Sequence, residues 1–244
     1  MGQGRIVFES AAEKRRYVRT MFGRIAHRYD LMNRLMTGGQ DRRWRRWLVE
    51  ELQLTAGSRL LDVATGTGDV IFTALGLHTD LELAVGVDFS LPMLVNGRRR
   101  AEAMPACHRI VWAAGDTLCL PFPDNSFDAV ASAFLLRNVT DLTVALREQH
   151  RVTRPGGRVA ALDIPRPPDG VWGTLFRFYF HQLVPRLGGL ISGQGDAYAY
   201  LPRSADAFLR PDQLAEVMES IGLQRVRYRT ALSGIVAIHV GVKA

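Results

Sequence analysis

The sequence of 244 residues predicts an α/β fold in which helices cover both faces of a mostly parallel sheet. From residue 59 onward, short apolar runs alternate with stretches of helical spacing, which is typical of parallel strands joined by helices. The first apolar run leads into a turn containing Gly66 and Gly68, and the second ends at Asp88. Ligands of open α/β sheets bind beyond the carboxyl ends of the strands, so we expect a binding site at this edge.

The alternation predicts seven strands and, between them, four helices. The strands cover residues 59–64, 83–87, 110–114, 129–134, 158–163, 225–229 and 235–241. The helices cover residues 69–77, 91–103, 142–152 and 211–221. Only residues 230–234 join the last two strands, so these strands are expected to pair as a hairpin, which makes the last strand antiparallel.

Two segments depart from this alternation. Residues 10–53 have helical spacing with a break at residues 37–39, and we predict that residues 1–53 form a basic helical segment before an α/β domain at 54–244. Residues 165–205 form an aromatic, apolar insertion, which we predict to be helical and to cover the substrate. Its aromatic side chains are Trp172, Phe176, Phe178, Tyr179, Phe180, Tyr198 and Tyr200.

The excess positive charge is confined to the N-terminal segment. Residues 1–50 contain 12 Lys/Arg and 5 Asp/Glu, whereas the remaining residues contain 19 of each. A solvated helical face explains this excess as well as attraction to an anionic membrane surface or to nucleic acid does. Because Trp44 and Trp47 lie among arginines, a membrane interface is favoured over a nucleic-acid partner.

Other features argue against a membrane span and a metal site. No apolar run approaches the roughly 20 residues that a membrane span needs, and the N-terminus has no apolar signal-peptide region. Cys107 and Cys119, and the six histidines, lack metal-ligand spacing. We therefore expect a cytoplasmic protein without a metal, in contact at most with the inner membrane surface. The sequence leaves a homodimer open.

The glycine turn indicates which kind of adenosine cofactor binds. A dinucleotide loop requires G-x-G-x-x-G, but no third glycine follows Gly66 and Gly68. Asp62 precedes this turn, and a carboxylate there would repel a pyrophosphate. S-adenosylmethionine carries a sulfonium and an ammonium but no phosphate, so this acidic environment favours it over NAD.

Further acids stand near the ends of the first three strands. Asp69 follows the glycine turn, and Asp88 and Asp116 close the second and third strands. Each acid alone is explained by a helix cap or a turn, but together they favour a cofactor site. We predict that Asp88 accepts the ribose hydroxyls and that Asp116 and Thr117 bind the adenine amino group. The predicted cofactor-binding set is Asp62, Gly66, Thr67, Gly68, Asp88, Phe89, Asp116, Thr117 and Ser132.

These motifs, in this order, resemble class I S-adenosylmethionine-dependent methyltransferases, which have a Rossmann-like fold. Over roughly residues 20–241 the chain also resembles the ubiquinone/menaquinone biosynthesis C-methyltransferase family. The segments that carry this resemblance are AHRYDLMN (26–33), LRNVTD (136–141), RVTRPGG (151–157), YAYLPRS (198–204) and GIVAIH (234–239). The chain departs from the family pattern at Gln40-Asp41, Thr65, Ala133, Leu135 and Asp163.

The resemblance implies a function. It implies methylation of a ring carbon of a polyprenylated quinol in menaquinone or ubiquinone biosynthesis, with demethylmenaquinol preferred, and a lid over the cofactor formed by residues 1–53. A lipid quinol substrate fits the basic segment and the aromatic insertion. The alternatives are methylation of another apolar acceptor (a sterol, phospholipid or small phenol), RNA methylation, or a non-catalytic cofactor-binding subunit of a quinone-synthesis complex.

Carbon methylation requires a phenolate-like transition state, since an aromatic carbon is a poor nucleophile until an adjacent hydroxyl loses its proton. Arg137 and Asn138 follow the fourth strand and are the predicted catalytic pair, with Arg137 stabilising the developing oxyanion. The alternative for Arg137 is a salt bridge to Asp141 or Glu148.

The N-terminal helices contribute two more candidate catalytic residues. Asp30 is a candidate proton acceptor, with a helix cap as the alternative, and Tyr29 precedes it. His181, in the aromatic insertion, is a further candidate base.

Overall fold

Seven strands pair into one sheet in a computed structural model that describes residues 8–244. Residues 1–7, which include Arg5 of the basic segment, lie outside the described residues. The strands are β1 (Arg59–Val63), β2 (Leu83–Asp88), β3 (Ile110–Ala114), β4 (Phe127–Ala133), β5 (Thr153–Asp163), β6 (Leu223–Ala231) and β7 (Val236–Lys243). Their order across the sheet is β3-β2-β1-β4-β5-β7-β6.

The pairing confirms the predicted mixed sheet. β1 pairs in parallel with β2 and β4, so Leu61 lies beside Val85 on one side and Val130 on the other. β7 is antiparallel to both β5 and β6, and the hairpin expected at the end of the chain is present. Because the chain order reverses between β1 and β4, a crevice forms at the carboxyl ends of these central strands.

β5 is longer than predicted. It begins at Thr153 rather than at residue 158, because Thr153 pairs with Phe127 before the register shifts. Residues 154–157, which lie before the predicted strand, form an irregular stretch within β5, where Gly156 has φ +78°. The strand pattern failed here because a bulge interrupts the alternation of side chains.

Helices cover both faces of the sheet. They are α1 (Ala11–Ile25), α2 (Tyr29–Thr37), α3 (Asp41–Leu52), α4 (Asp69–Leu77), α5 (Leu91–Ala101), α6 (Leu142–Val152), α7 (Val171–Phe178), α8 (Val184–Ser192), α9 (Gly195–Asp206) and α10 (Pro211–Ser220). The predicted break between α2 and α3 is present because Gly38, at φ 58°, adopts the left-handed conformation that ends a helix. No helix within residues 8–244 combines the length and apolar character that crossing a membrane requires.

Three apolar clusters hold these layers together. Two lie on opposite faces of the sheet, one around Leu60 and Ile71 and the other around Leu61 and Leu146. The third packs the N-terminal helices against the insertion and is built around Met21, Met32, Phe180, Tyr198 and Leu201. The third cluster therefore fixes both segments that depart from the α/β alternation above the carboxyl edge of the sheet.

The insertion is helical, as predicted. α7 continues through a π-helical turn (Tyr179–Leu183) into α8, and α9 then folds back against α8. α8 and α9 approach closely at Gly188, where an added Cβ would lie 2.2 Å from Cδ2 of Tyr198. Tyr198 is fully buried and has no room to move aside, so this position requires glycine.

We expect Gly188→Ala to destabilise the protein by about 1–3 kcal/mol, because the added methyl group overpacks the contact between α8 and α9. Gly189→Ala is the matched control, since its Cβ would lie 3.8 Å from the nearest heavy atom, which is an ordinary contact. We expect the control to change stability by at most about 1 kcal/mol, in the stabilising direction. Urea unfolding of both variants checks this, and equal midpoints would contradict it.

Candidate active site

A pocket opens at the carboxyl edge of the sheet between the central strands and α1. Its floor contains most of the predicted cofactor residues, which the loops after β1, β2 and β3 bring together. They are Gly66, Asp88, Phe89, Asp116 and Thr117. Val18 and Phe22 of α1 line the opposite side, so the N-terminal helices cover the pocket.

Asp88 is held rigidly at the end of β2. Its carboxylate accepts hydrogen bonds from the backbone N–H groups of Gly66 (2.9 Å) and Ser90 (2.8 Å). Burial raises the pKa of Asp88 to about 6, although these backbone donors act in the opposite direction. Asp88 therefore connects the glycine loop to the second strand and presents a carboxylate to the pocket.

The glycine loop has a conformation that side chains would oppose. Gly66 has φ +56° and Gly68 has φ +90°, both in the left-handed region. A Cβ on Gly68 would also lie 2.6 Å from Cη2 of Trp112. Gly66 lines the pocket, whereas Gly68 shapes the loop and is the N-cap residue that precedes α4.

Two residues with side chains share this strained conformation. Ala64 follows β1 with φ 56°, and Phe134 follows β4 with φ 59°. Both line the pocket. For residues with a side chain, this left-handed backbone conformation costs free energy and persists only when the surrounding structure enforces it. Such conformations are frequent at functional sites. Here it turns the chain sharply at the ends of two adjacent strands.

A small cavity adjoins the pocket past Gly66 and reaches Asp62 and Arg45. One carboxylate oxygen of Asp62 accepts a hydrogen bond from the Thr65 hydroxyl (2.6 Å), and the other is buried without a partner. Burial raises the pKa of Asp62 to about 7. The hydroxyl of Thr117 is also buried and unpaired. Unsatisfied buried polar atoms are rare, so these two atoms are suited to binding polar groups of a ligand.

A network of charges joins the N-terminal helices to this loop. Asp30 of α2 accepts a hydrogen bond from Thr67 (2.6 Å) and pairs with Arg100 (2.9 Å). Arg100 also pairs with Asp69 (2.6 Å). Burial raises the pKa of Asp30, with the Thr67 hydrogen bond opposing the shift. The structure therefore directs Asp30 toward the glycine loop.

Arg45 is a central member of this network that sequence reasoning missed. It is buried (4% exposed), pairs with Asp41 one helical turn earlier, and lies 3.6 Å from Asp69. Burial alone would raise the pKa of Asp69, but Arg45 and Arg100 hold it below the ordinary value. The i, i+4 spacing of Asp41 and Arg45 was the available signal.

A second cavity of about 250 Å³ lies on the other side of Phe22, Tyr29 and Phe134 from the cofactor pocket. Its lining is mostly apolar and aromatic, and the insertion and the N-terminal helices provide much of it. The ring-bearing side chains that contribute are Phe22, Tyr29, Trp44, Phe134, Phe176, Tyr179 and Phe180. Because three side chains line both spaces, the two are adjacent.

Arg137 faces this aromatic cavity and is bound to an acid that sequence reasoning did not pair with it. Its guanidinium forms a buried ion pair with Asp163 at the end of β5. The expected alternative partners are engaged elsewhere, since Asp141 caps α6 and Glu148 pairs with Arg151. Nε of Arg137 is buried without a partner.

Asn138 faces the other space, the cofactor pocket. Its side-chain N–H donates to the carbonyl of Phe134 (2.9 Å), and its carbonyl oxygen is buried and unpaired. The predicted catalytic pair therefore divides between the two spaces. Tyr29 borders both, and burial raises the pKa of its hydroxyl.

Three other candidates lie in different environments. Ser132 is buried within β4 and does not line the pocket, and its assignment to the cofactor site stays a prediction. Asp116 does line it, and pairs with Arg15 of α1 at 2.5 Å. His181 bonds Asp206 (2.7 Å) and lines a third groove, which shares Arg137 with the aromatic cavity but does not include Tyr29.

Comparison with known proteins identifies the family. The model of the ubiE/COQ5 methyltransferase family matches residues 9–243. The demethylmenaquinone methyltransferase of Thermus thermophilus is 48% identical over 221 residues, which is 91% of this chain and 99% of the relative. The ubiquinone/menaquinone biosynthesis C-methyltransferase UbiE of Geobacter sulfurreducens is 39% identical over 239 residues, 98% of this chain and 93% of the relative.

Solved structures support the fold. A methyltransferase of Thermotoga maritima, described as S-adenosylmethionine-dependent, matches with a TM-score of 0.64 at 19% identity, over 93% of this chain and 99% of its own. Phosphoethanolamine N-methyltransferase 2 of Haemonchus contortus, in complex with S-adenosylhomocysteine, matches with a TM-score of 0.67 at 15% identity, over 97% of this chain and 60% of its own. The resemblance drawn from the sequence motifs is confirmed, and the chain belongs to the ubiE/COQ5 methyltransferase family.

Proposed function

We propose that this protein transfers the methyl group of S-adenosylmethionine to a ring carbon of a polyprenylated quinol, with demethylmenaquinol as the preferred substrate. The observation that carries the proposal is the shared wall of Phe22, Tyr29 and Phe134 between an acidic pocket and an aromatic cavity. One space suits a cationic nucleoside and the other a planar apolar ring. The names of the relatives at 48% and 39% identity support the choice of substrate.

The residues present fit the methyl donor. Asp88 would accept the ribose hydroxyls, and Thr117, with its unpaired hydroxyl, would bind the adenine. Asp62 and Arg45 would hold the ammonium and carboxylate of the methionine part, since both line the small cavity beside Gly66. When bound, S-adenosylmethionine supplies an electrophilic methyl group on a sulfonium.

The chain's own contribution is positioning and stabilisation of charge. Phe22, Tyr29 and Phe134 exclude water from the boundary between the two spaces. We assign to Arg137 the role of stabilising the oxyanion that develops on the quinol, because a cation next to the aromatic cavity favours the phenolate-like state. Asp163 balances its charge and fixes its orientation, so the unpaired Nε–H remains available as a donor.

Asp30 takes a different role in this proposal from the one its sequence position suggested. It bonds Thr67 and Arg100 and does not border the aromatic cavity. We assign it to positioning the glycine loop rather than to accepting the quinol proton. Tyr29 is a candidate hydrogen-bond donor to a quinol oxygen, since burial keeps its hydroxyl protonated.

The direct test is incubation of the purified protein with methyl-labelled S-adenosylmethionine and demethylmenaquinol. We expect label on the quinone ring, and we expect Asp88→Ala to lose measurable cofactor binding in calorimetry, because the ribose hydroxyls lose their acceptor. Asp128→Ala is a control acid, since it lies at the opposite end of β4 from the pocket. Cofactor binding without methylation of any quinol would contradict the proposed substrate.

Cofactor affinity should depend on pH through Asp62. Its pKa of about 7 means that it is mostly ionised at pH 8 and mostly protonated at pH 6. A cationic ligand needs the ionised form, so we expect affinity for S-adenosylmethionine to fall about tenfold from pH 8 to pH 6. Calorimetry with Asp62→Asn should show weaker binding and a flatter pH profile. An unchanged dissociation constant across this range for the unaltered protein would refute the role of Asp62.

The raised pKa of Asp62 has the opposite effect on the folding stability of the protein without ligand: stability falls, rather than rises, with increasing pH. Because the folded pKa of Asp62 lies above its ordinary value, this group contributes stability that is fully present below about pH 4. That contribution is lost as the pH rises through about 7. Compared with Asp62→Asn, the unaltered protein should therefore lose stability between pH 5 and about pH 8, as measured by urea unfolding.

The role of Arg137 can be separated from its structural contribution. Arg137→Met leaves Asp163 buried and unpaired, so we expect a loss of about 3–5 kcal/mol in stability together with a fall in kcat. The double variant Arg137→Met/Asp163→Leu removes both charges and should regain most of the stability. We expect its kcat to remain at least about 100-fold low. Recovery of kcat together with stability would show that the pair is only structural.

A further inference from the structure

One surface carries an unusual concentration of exposed apolar side chains. More than half of the large apolar side chains exposed in the described chain lie on α2 or between residues 171 and 190. Leu190 is 85% exposed, Val171 83% and Trp172 68%. Large exposed apolar patches on a protein surface indicate sites that bind another protein, a membrane or a ligand.

These side chains share one face because α7, the π-helical turn and α8 form a continuous helical rod. Val171, Leu175 and Phe178, and then Leu183, Leu187 and Leu190, are exposed along it at spacings of four and three residues, whereas Phe180 packs inward. Such spacings keep side chains on one side of a helix. Trp172 is exposed beside them at the start of the rod. The rod therefore has a buried side and an apolar side without a partner in the described chain.

α2 extends this face sideways. The hydroxyl of Tyr179 donates to the carbonyl of Met36 (2.8 Å), and Arg28 donates to the carbonyl of Ile191. These contacts at both ends of α2 align it beside the rod. Leu31 and Leu35 are about half exposed on α2, at 51% and 49%. We call the surface of Leu31, Leu35, Val171, Trp172, Phe178 and Leu190 the α2/α7–α8 face.

The charge around this face is positive. Residues 170–195 contain no Asp or Glu and include the exposed Arg186. Of the two acids that flank this range, Asp169 is exposed and Asp196 pairs with Arg24. Arg28, which precedes α2, and Arg34 on α2 are also exposed. Exposed aromatic and aliphatic side chains bordered by arginine are typical of helices that lie in the interface of an anionic bilayer.

The arginines and tryptophans of α3, whose pattern in the sequence indicated a membrane interface, make contacts within the protein instead. Trp44 is 3% exposed and belongs to the core, and Arg45 is buried in the charge network. The guanidinium groups of Arg43 and Arg229 lie over the ring of Trp47, 4.6 and 4.0 Å from its centroid. The tryptophans of α3 are thus occupied within the protein and are poorly placed to enter a bilayer.

The opposite side of the same rod lines the aromatic cavity, through Phe176, Tyr179 and Phe180. The exposed face and the cavity are therefore separated by the thickness of one helix. A partner that delivers an apolar ring to the cavity would have to approach this region. A bilayer that contains the substrate meets this requirement, and a second copy of the chain does not.

We propose that the α2/α7–α8 face docks on the surface of an anionic phospholipid bilayer, from which the quinol reaches the aromatic cavity. The inference rests on the proposed function, because a lipid substrate gives the face its purpose. Trp172, Phe178 and Leu190 enter the interface, and Arg28, Arg34 and Arg186 contact lipid headgroups.

The test is sedimentation with phosphatidylcholine vesicles that contain, or lack, phosphatidylglycerol, in the absence of both methyl donor and quinol. We expect the unaltered chain to bind vesicles with phosphatidylglycerol, and to bind more weakly at high salt. Trp172→Glu/Leu190→Glu should weaken binding about tenfold or more, because two apolar anchors are replaced by charges. The matched control is Val95→Glu/Val111→Glu, which alters side chains that are 48% and 47% exposed elsewhere. The control should bind like the unaltered chain.

Activity assays separate docking from catalysis. The Trp172/Leu190 variant should methylate a short-chain quinol in buffer at the normal rate, yet act several-fold more slowly on quinol embedded in vesicles. Two results would overturn the proposal: equal vesicle binding by the two double variants, or a dimer in analytical ultracentrifugation that only Trp172→Glu/Leu190→Glu dissociates while no protein binds vesicles. Sedimentation contains no substrate, so its outcome is independent of the proposed reaction.

Discussion

The burial of charge at the carboxyl edge of the sheet is the constraint on which the site depends. Arg45 is buried beside Asp41 and Asp69, and Arg100 connects Asp69 to Asp30. A charge left unpaired in such surroundings is costly, so each member fixes its partners. The network joins α2 and α3 to the glycine loop and α5, and it thereby holds the N-terminal helices above the cofactor pocket.

This placement creates two spaces with contrasting chemistry. Carboxylates and backbone donors at the strand ends suit a cationic nucleoside, whereas the N-terminal helices and the insertion enclose an aromatic cavity. Phe22 and Tyr29 reach the boundary because α1 and α2 are held by the charge network and by the apolar cluster around Met21 and Tyr198. The donor and a ring can thus enter from different sides and meet at one wall. Alignment of this kind supplies much of the acceleration of a methyl transfer.

The sequence was most informative where local pattern determines structure. The seven strands, the hairpin and the positions of Asp88 and Gly66 follow from apolar runs and strand ends, and the structure has them. Ser132 does not line the pocket whereas the next residue, Ala133, does, because side chains alternate between the two faces along β4. The pairing of Arg137 with Asp163 joins the ends of two strands, and spacing along the chain gives no sign of it.

We propose that the aromatic cavity, which adjoins the cofactor pocket across Phe22, Tyr29 and Phe134, binds the quinol ring. The most direct measurement is a crystal structure of the protein with S-adenosylhomocysteine and a short-chain demethylmenaquinol. We predict the nucleoside beside Asp88, and the quinol ring among the aromatic side chains with an oxygen near Arg137. A ring bound instead in the groove that contains His181 and Asp206, away from Tyr29, would contradict the account.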